Sequence, residues 1–295
     1  KTDAELEAAV AAGVAINAES ETEILRIARI GQAQETRPRV AVRVNPDFEL
    51  KSSGMRMGGG AKPFGIDAER VPAALELIDE LPLDFEGLHI FAGSQNLDTE
   101  AICTAQTEIF ALAKRLLAGR QTGRLLNIGG GLGIPYFPGE SPVDLPHIGE
   151  HLKSLLVTHR DWLGDTRVAM ELGRFIVGEA GIYVTRVVDR KESRGEVFLL
   201  TDGGMHHHLA LSGNLGQVIR KNYPLAIGNR LRSPVTETVN IHGPLCTPLD
   251  VLGNKIELPA AGPGDLVVVF QSGAYGLTAS PQQFLSHPAP AERLV

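Results

Sequence analysis

Apolar positions in the first 180 or so residues alternate between two patterns. Short buried-type runs end in polar residues or glycine: VAINAES from Val14, VAVRVNP from Val40, GLHIFAGS from Gly87, LLNIGGGLGIPY from Leu125 and RVAMELG from Arg167. They read as strands. Between them, apolar residues recur at helical spacing over residues 4–12, 21–33, 67–80, 99–118 and 147–159, which predicts amphipathic helices. The first helix opens at a cap, Thr2 or Asp3, and stops at Gly13. A glycine-rich loop spans residues 52–62. Strands alternating with helices of such length predict parallel βα units. Polar and glycine residues gather at the strands' C-terminal ends (Asn17, Asn45, Ser94, Gly129 to Gly131, Glu171), where ligands collect in a βα barrel or an open α/β sheet.

Near Gly181 the period changes. IYVTRVVDRKES, EVFLLTDGGM, SPVTETVNIHGP, KIELPAAGPG and DLVVVFQSGA are β-branched runs divided by turn residues, which predicts an all-β domain over residues 182–295 after a βα domain over residues 1–181. A short helix is expected within residues 209–223. No internal repeat or low-complexity linker is visible.

The 295 residues are 43% hydrophobic, enough for one large or two medium domains. A net charge of −7 argues against nucleic acid or an anionic membrane as partner, and no apolar run reaches the roughly 18 residues a span needs. Two cysteines, Cys103 and Cys246, are too few for a disulfide framework, so a reducing cytoplasm is expected.

The centre of the chemistry is Gly129-Gly130-Gly131. One glycine after a strand signals a tight turn. Three let backbone N–H groups converge on an anion, most often a phosphate. A Rossmann loop fits less well, because no acidic residue ends a second strand about twenty residues on. Glu171 closes a strand ahead of Leu172, Gly173 and Arg174. It either forms a surface ion pair with Arg174 or serves a site, where it can keep a ring nitrogen protonated while Arg174 serves an acidic group. Cys246, in HGPLCTPLD, is expected to be exposed and competent as a proton donor, and Cys103 to pack. His206, His207 and His208 point in different directions as consecutive residues, so a polar rim or substrate-facing loop is expected rather than a metal site. Tyr275, between two glycines, has a hydroxyl able to reach a phosphate.

Together LHIFAGSQ, NIGGGLGIPY, ELGRFIVGEAG, TDGGM, GPLCTPLD and GAYG resemble the fold-type III pyridoxal-phosphate decarboxylases, in the branch of diaminopimelate, ornithine and arginine decarboxylases, along the whole chain and in order. The resemblance implies a (β/α)8 TIM-type barrel followed by a β-sandwich or barrel-like domain, with pyridoxal 5'-phosphate as cofactor and a small amino acid as substrate. It assigns Gly129, Gly130, Gly131 and Ser94 to the cofactor phosphate, Glu171 to the pyridine nitrogen, and Leu172, Gly173 and Arg174 to the adjoining motif near phosphate and substrate. Tyr275 matches the phosphate-contacting tyrosine. Cys246 matches the residue that donates a proton after carbon dioxide leaves, on a loop that enters the neighbouring subunit's site, which implies a homodimer.

Four departures qualify the resemblance. No lysine matches the family's Schiff-base lysine on the first barrel strand, and Lys1 aligns with the stretch after the third. About five of eight strands are then expected, as in a piece of a longer enzyme, inactive alone. Phe91 replaces the histidine that stacks on the cofactor, and His89 lies two residues earlier. Thr247 replaces the glutamate that grips diaminopimelate's distal amine. HHHLALSG replaces the substrate-binding Arg and Tyr after TDGGM, and PQQFL a late NYN. His206, His207, Thr247, Asp250 and Arg174 are the expected substrate contacts. The cofactor half is kept and the substrate half changed, similar to the exosortase-associated subgroup and to decarboxylases of carrier-bound amino acids. True diaminopimelate decarboxylase and a non-catalytic phosphate-ligand binder are the alternatives.

Overall fold

In the computed structural model, residues 1–48, 58–213 and 220–295 are described, with the backbone of Met55–Arg56. The loop expected at 52–62 lies partly outside the described residues. So do residues 214–219 of the stretch 209–223 in which a short helix is expected, and Leu209–Ser212 within it forms a 3₁₀ turn. Two compact units are present: Lys1–Gly133 with Val143–Leu172, and Ile134–Pro142 with Gly173–Val295.

The first unit carries strands β1 (Ile16–Ala18), β2 (Arg39–Asn45), β3 (Met55–Arg56), β4 (Ile66–Asp67), β5 (Asp84–Ile90), β6 (Gly93–Ser94), β7 (Leu125–Gly130) and β8 (Arg167–Glu171). Helices α1 (Asp3–Ala11), α2 (Glu21–Ala33), α3 (Val71–Glu80), α4 (Thr99–Leu116), α5 (Leu145–Thr158) and α6 (Arg160–Leu163) stand between them. The main sheet runs β1-β2-β5-β7-β8 with every neighbouring pair parallel. Spatial order follows chain order without reversal, the winding of a barrel rather than of a doubly wound sheet. Sequence chemistry sets the helix starts. Thr2 and Glu5 form a capping box on α1, Ser20 Oγ accepts the Glu23 amide, and Asp98 accepts the Ala101 amide. Behind those caps, Ile24, Ile27 and Ile30 of α2 and Ile109, Phe110 and Ala113 of α4 point into one core with Val42, Leu88 and Leu126.

The second unit opens with helix α7 (Gly173–Val177) and continues through β9 (Tyr183–Ser193), β10 (Glu196–Thr201), β11 (Leu225–Ile227), β12 (Glu237–His242), β13 (Val251–Leu258) and β14 (Leu266–Val269). Its sheet runs β11-β14-β9-β10-β12-β13, antiparallel except for β10 beside β12. The core joins Val187, Leu199, Val239, Ile241 and Val267 to Ile134 and Tyr136, which come from the short segment inserted between β7 and α5. A parallel-strand α/β barrel segment followed by a β-barrel or sandwich unit is therefore the architecture.

Candidate functional site

In the first unit, register places the acid beside the glycines. Gly130 on β7 pairs with Glu171 at the end of β8. A Cβ on Gly130 would overlap the Glu171 carbonyl oxygen, and one on Gly131 the Gly93 carbonyl oxygen. Gly129 and Gly131 also take φ of 69° and 86°, a region that L side chains adopt only with strain. The glycines are thus required by backbone packing against their neighbours. The expectation of three convergent N–H groups needs correction, because the Gly129 amide donates to Asn127 Oδ1 at 2.9 Å. Phe91 lies against Gly129, and Ser94 is half-buried on β6.

Glu171 is held from the adjacent strands. Its Oε1 accepts Asn127 Nδ2 at 2.8 Å, and its Oε2 lies 3.4 Å from Nε2 of the buried His89. Burial holds the His89 imidazole below its ordinary pKa; the Glu171 charge opposes that shift and the Arg43 guanidinium adds to it. The side chain of Glu171 remains 51% exposed, so a held carboxylate still presents itself to a ligand. Asn127 is a candidate site residue that sequence reading misses. Its signal is a lone amide inside the apolar run LLNIGG. A cavity of about 20 Å³, sized for one water, is lined by Gly130, Gly131, Asn96, Gln106 and Met170. Asn96 Nδ2 and both amide atoms of Gln106 are buried there without partners.

In the second unit, Gly173 opens α7 and Arg174 follows it. The Arg174 guanidinium donates to the Tyr136 hydroxyl at 2.8 Å and lies 5.4 Å from the Tyr136 ring and 4.6 Å from that of Tyr275. Its Nε is buried without a partner, and among the described residues it has no ion pair. A cation clamped by two rings and lacking a carboxylate suits an anionic ligand. Tyr275 is 47% exposed at φ 55°, an uncommon conformation for a bulky residue.

The three histidines do not form a polar rim. His206, His207 and His208 are 0%, 8% and 1% exposed. The chain after β10 turns inward here, and residues distant in sequence bond two of the three rings. His207 bonds the Tyr183 hydroxyl and the Pro288 carbonyl, and His208 bonds Ser272 Oγ. His206 has no partner for either nitrogen, and its ring lies tilted against those of His207 and His287, at 48° and 42°. Burial pushes both His206 and His208 down to about 4, so these rings are neutral near pH 7. A cavity of about 290 Å³ is lined by Tyr183, His207, His208, Ser272 and Tyr275 together with Pro290–Arg293.

Cys246 is exposed and Cys103 buried. Thr247 Oγ1 accepts the Leu249 amide at 3.3 Å. Asp250 departs from its expected place among the substrate contacts. It is 1% exposed, and its two oxygens accept the Met205 and Leu245 amides at 2.6 and 2.8 Å, so it faces the chain. Among the described residues, no three of His, Cys, Asp or Glu are arranged to hold a metal ion, and no helix is long and apolar enough to cross a membrane.

Residues 1–178 match the family model of the pyridoxal-dependent decarboxylase, pyridoxal binding domain. The L-glutamyl-(BtrI acyl-carrier protein) decarboxylase of Niallia circulans is 39% identical over 303 residues, covering 100% of this chain and 70% of the relative. The diaminopimelate decarboxylase of Methanothermobacter thermautotrophicus is 31% identical over 304 residues, covering 99% and 67%. Among solved structures, diaminopimelate decarboxylase from Helicobacter pylori complexed with L-lysine superposes with a TM-score of 0.85 at 26% identity, covering 98% of this chain and 70% of that one.

Proposed function

Because this chain belongs to the pyridoxal-dependent decarboxylases, whose cofactor is pyridoxal 5'-phosphate, we propose that it decarboxylates an amino acid and that Cys246 donates the proton replacing the lost carboxylate. When bound, the cofactor supplies an electron sink for the bond that breaks as carbon dioxide leaves. The chain's own groups bind and orient it. Glu171, held by Asn127, keeps the pyridine nitrogen protonated by opposite charge at close range. Gly130, Gly131 and Ser94 receive the phosphate, while Phe91 and Leu172 exclude water from the ring; in the second unit, Gly173, Arg174 and Tyr275 offer a cation and a hydroxyl to an anionic group. Cys246, an exposed thiol, delivers the proton. The observation that carries the reading is the held yet half-exposed carboxylate of Glu171, paired in register with Gly130 at the strand ends.

The substrate we favour is an amino acid joined to a carrier. The relative at 39% identity acts on a carrier-linked glutamyl group, and Thr247 gives the substrate end a hydroxyl rather than a carboxylate. In this reading the protein works as a homodimer in the cytoplasm. Carbon dioxide release by the full-length protein, from carrier-linked L-glutamate, free L-glutamate and diaminopimelate, tests it. Release from the first alone is expected; release from diaminopimelate alone would return the chain to lysine-type chemistry, and release from none would make it a binder. Cys246→Ala should slow turnover by about 10²–10⁴-fold, the range for a lost general acid, and an unchanged rate removes that role.

A further inference from the structure

The loop that bears Cys246 is held by one carboxylate. Asp250 is nearly inaccessible, and among the described residues no cation pairs with it. Its charge is met by backbone amides from two loops far apart in sequence. Oδ1 takes the Met205 amide, in the turn that leads into His206, and Oδ2 takes the Leu245 amide, one residue before the thiol. A buried carboxylate is tolerated when such donors surround it. The backbone is shaped for it on both sides. A Cβ at Gly204 would overlap Oδ1 and one at Gly243 would overlap Oδ2. Within the thiol loop, the Asp250 carbonyl accepts the Gly243 amide, and the Asp250 amide donates to Thr247 O, so residues 243–250 close on themselves around Cys246.

We propose that Asp250 is the positioning residue for Cys246, stapling the thiol loop to the Gly204–Met205 turn so that the sulfur is presented at one fixed place. The proposal rests on the reading of Cys246 as proton donor. It adds a coupling that loop closure alone does not produce: a change on the Gly204 side of the carboxylate reaches the thiol.

The test uses the full-length protein and two variants, Asp250→Asn and Gly204→Ala. The first turns one acceptor into a donor facing an amide. The second pushes the Asp250 carboxylate from the far loop while leaving the sequence of residues 243–250 unchanged. The direct readout is the rate of Cys246 alkylation by iodoacetamide, followed by peptide mass, with buried Cys103 as the internal reference. Both variants are expected to change that rate by about threefold or more, and to lower kcat for carbon dioxide release by about tenfold with KM within about twofold, as for a group acting after binding. An unchanged alkylation rate in Gly204→Ala overturns the staple, whatever Asp250→Asn does, and decides the matter if Asp250→Asn fails to fold. A fall in kcat without a change in alkylation also overturns it. If Cys246→Ala leaves turnover intact, the proton-donor reading fails instead, and the alkylation rates still judge the staple.

Discussion

Glu171 and Cys246 reach their places by different means. Glu171 sits where strand pairing puts it: β7 and β8 run parallel, Gly130 is its partner, and Asn127 one pair earlier supplies the hydrogen bond. Cys246 sits on a loop, and its neighbour Leu245 is tied down by a side chain, Asp250. Register is shared by every residue of a sheet, so no single side chain controls it. A loop fastened by one carboxylate can be released by one substitution. The strand-end half of the chemistry should therefore respond to changes in charge, and the loop half to changes in fastening.

The largest expected effect separates charge from placement. Glu171→Ala should lower carbon dioxide release by about 10²–10³-fold, comparable to losing a preorganised electrostatic partner, while thermal unfolding shifts little. A large fall in melting temperature would mean that the carboxylate is part of the scaffold.

The next test concerns the second unit. His206 and His208 have folded pKa values of about 4 against ordinary values of 6.5. The unfolded chain therefore takes up their protons first as pH falls, and stability drops between 6.5 and 4 with little further loss from these groups below. Each contributes a slope of up to about 1.4 kcal/mol per pH unit in that window. Urea melts near pH 7 and pH 5 should show the loss in wild type and a flatter response in a His206→Leu, His208→Gln double variant.

Asn127→Ala tests the first unit more gently. Removing an acceptor from the buried Gly129 amide should cost about 1–3 kcal/mol, read by denaturant melts, and should weaken cofactor binding, read by titration. The smallest effect is expected on the second sheet's surface. Arg190 pairs in two places with Glu237, at 2.8 Å each, yet Arg190→Ala should cost less than about 1 kcal/mol because both groups retain access to water.

The first unit is legible in the sequence because its signals are local and repeated. Ser20 and Asp98 cap the helices that the apolar spacing predicts, and α2 spans Glu21–Ala33 as expected. Strand ends follow from that alternation, which is why Gly130 and Glu171 stand out together. The second unit hides more. β11 is three residues between Pro224 and Gly228, too short to show a period, and β13 begins at Val251, inside what reads as the tail of a loop. Three adjacent histidines carry no apolar pattern, so their burial depends on Tyr183, Ser272 and Pro288, which come from distant parts of the chain. Asp250 looks like an ordinary loop carboxylate until Met205, more than forty residues earlier, is seen to donate to it.

The nine residues Ile134–Pro142 lie among first-unit segments in the sequence, yet Ile134 and Tyr136 are part of the second unit's core. Dissecting the gene at the Leu172–Gly173 junction would thus leave the downstream product short of two buried side chains and burden the upstream one with an unmatched apolar ribbon. Chimeras that exchange the β unit between relatives should carry this ribbon across with it, using two crossovers on either side of residues 134–142 in addition to the one near Gly173.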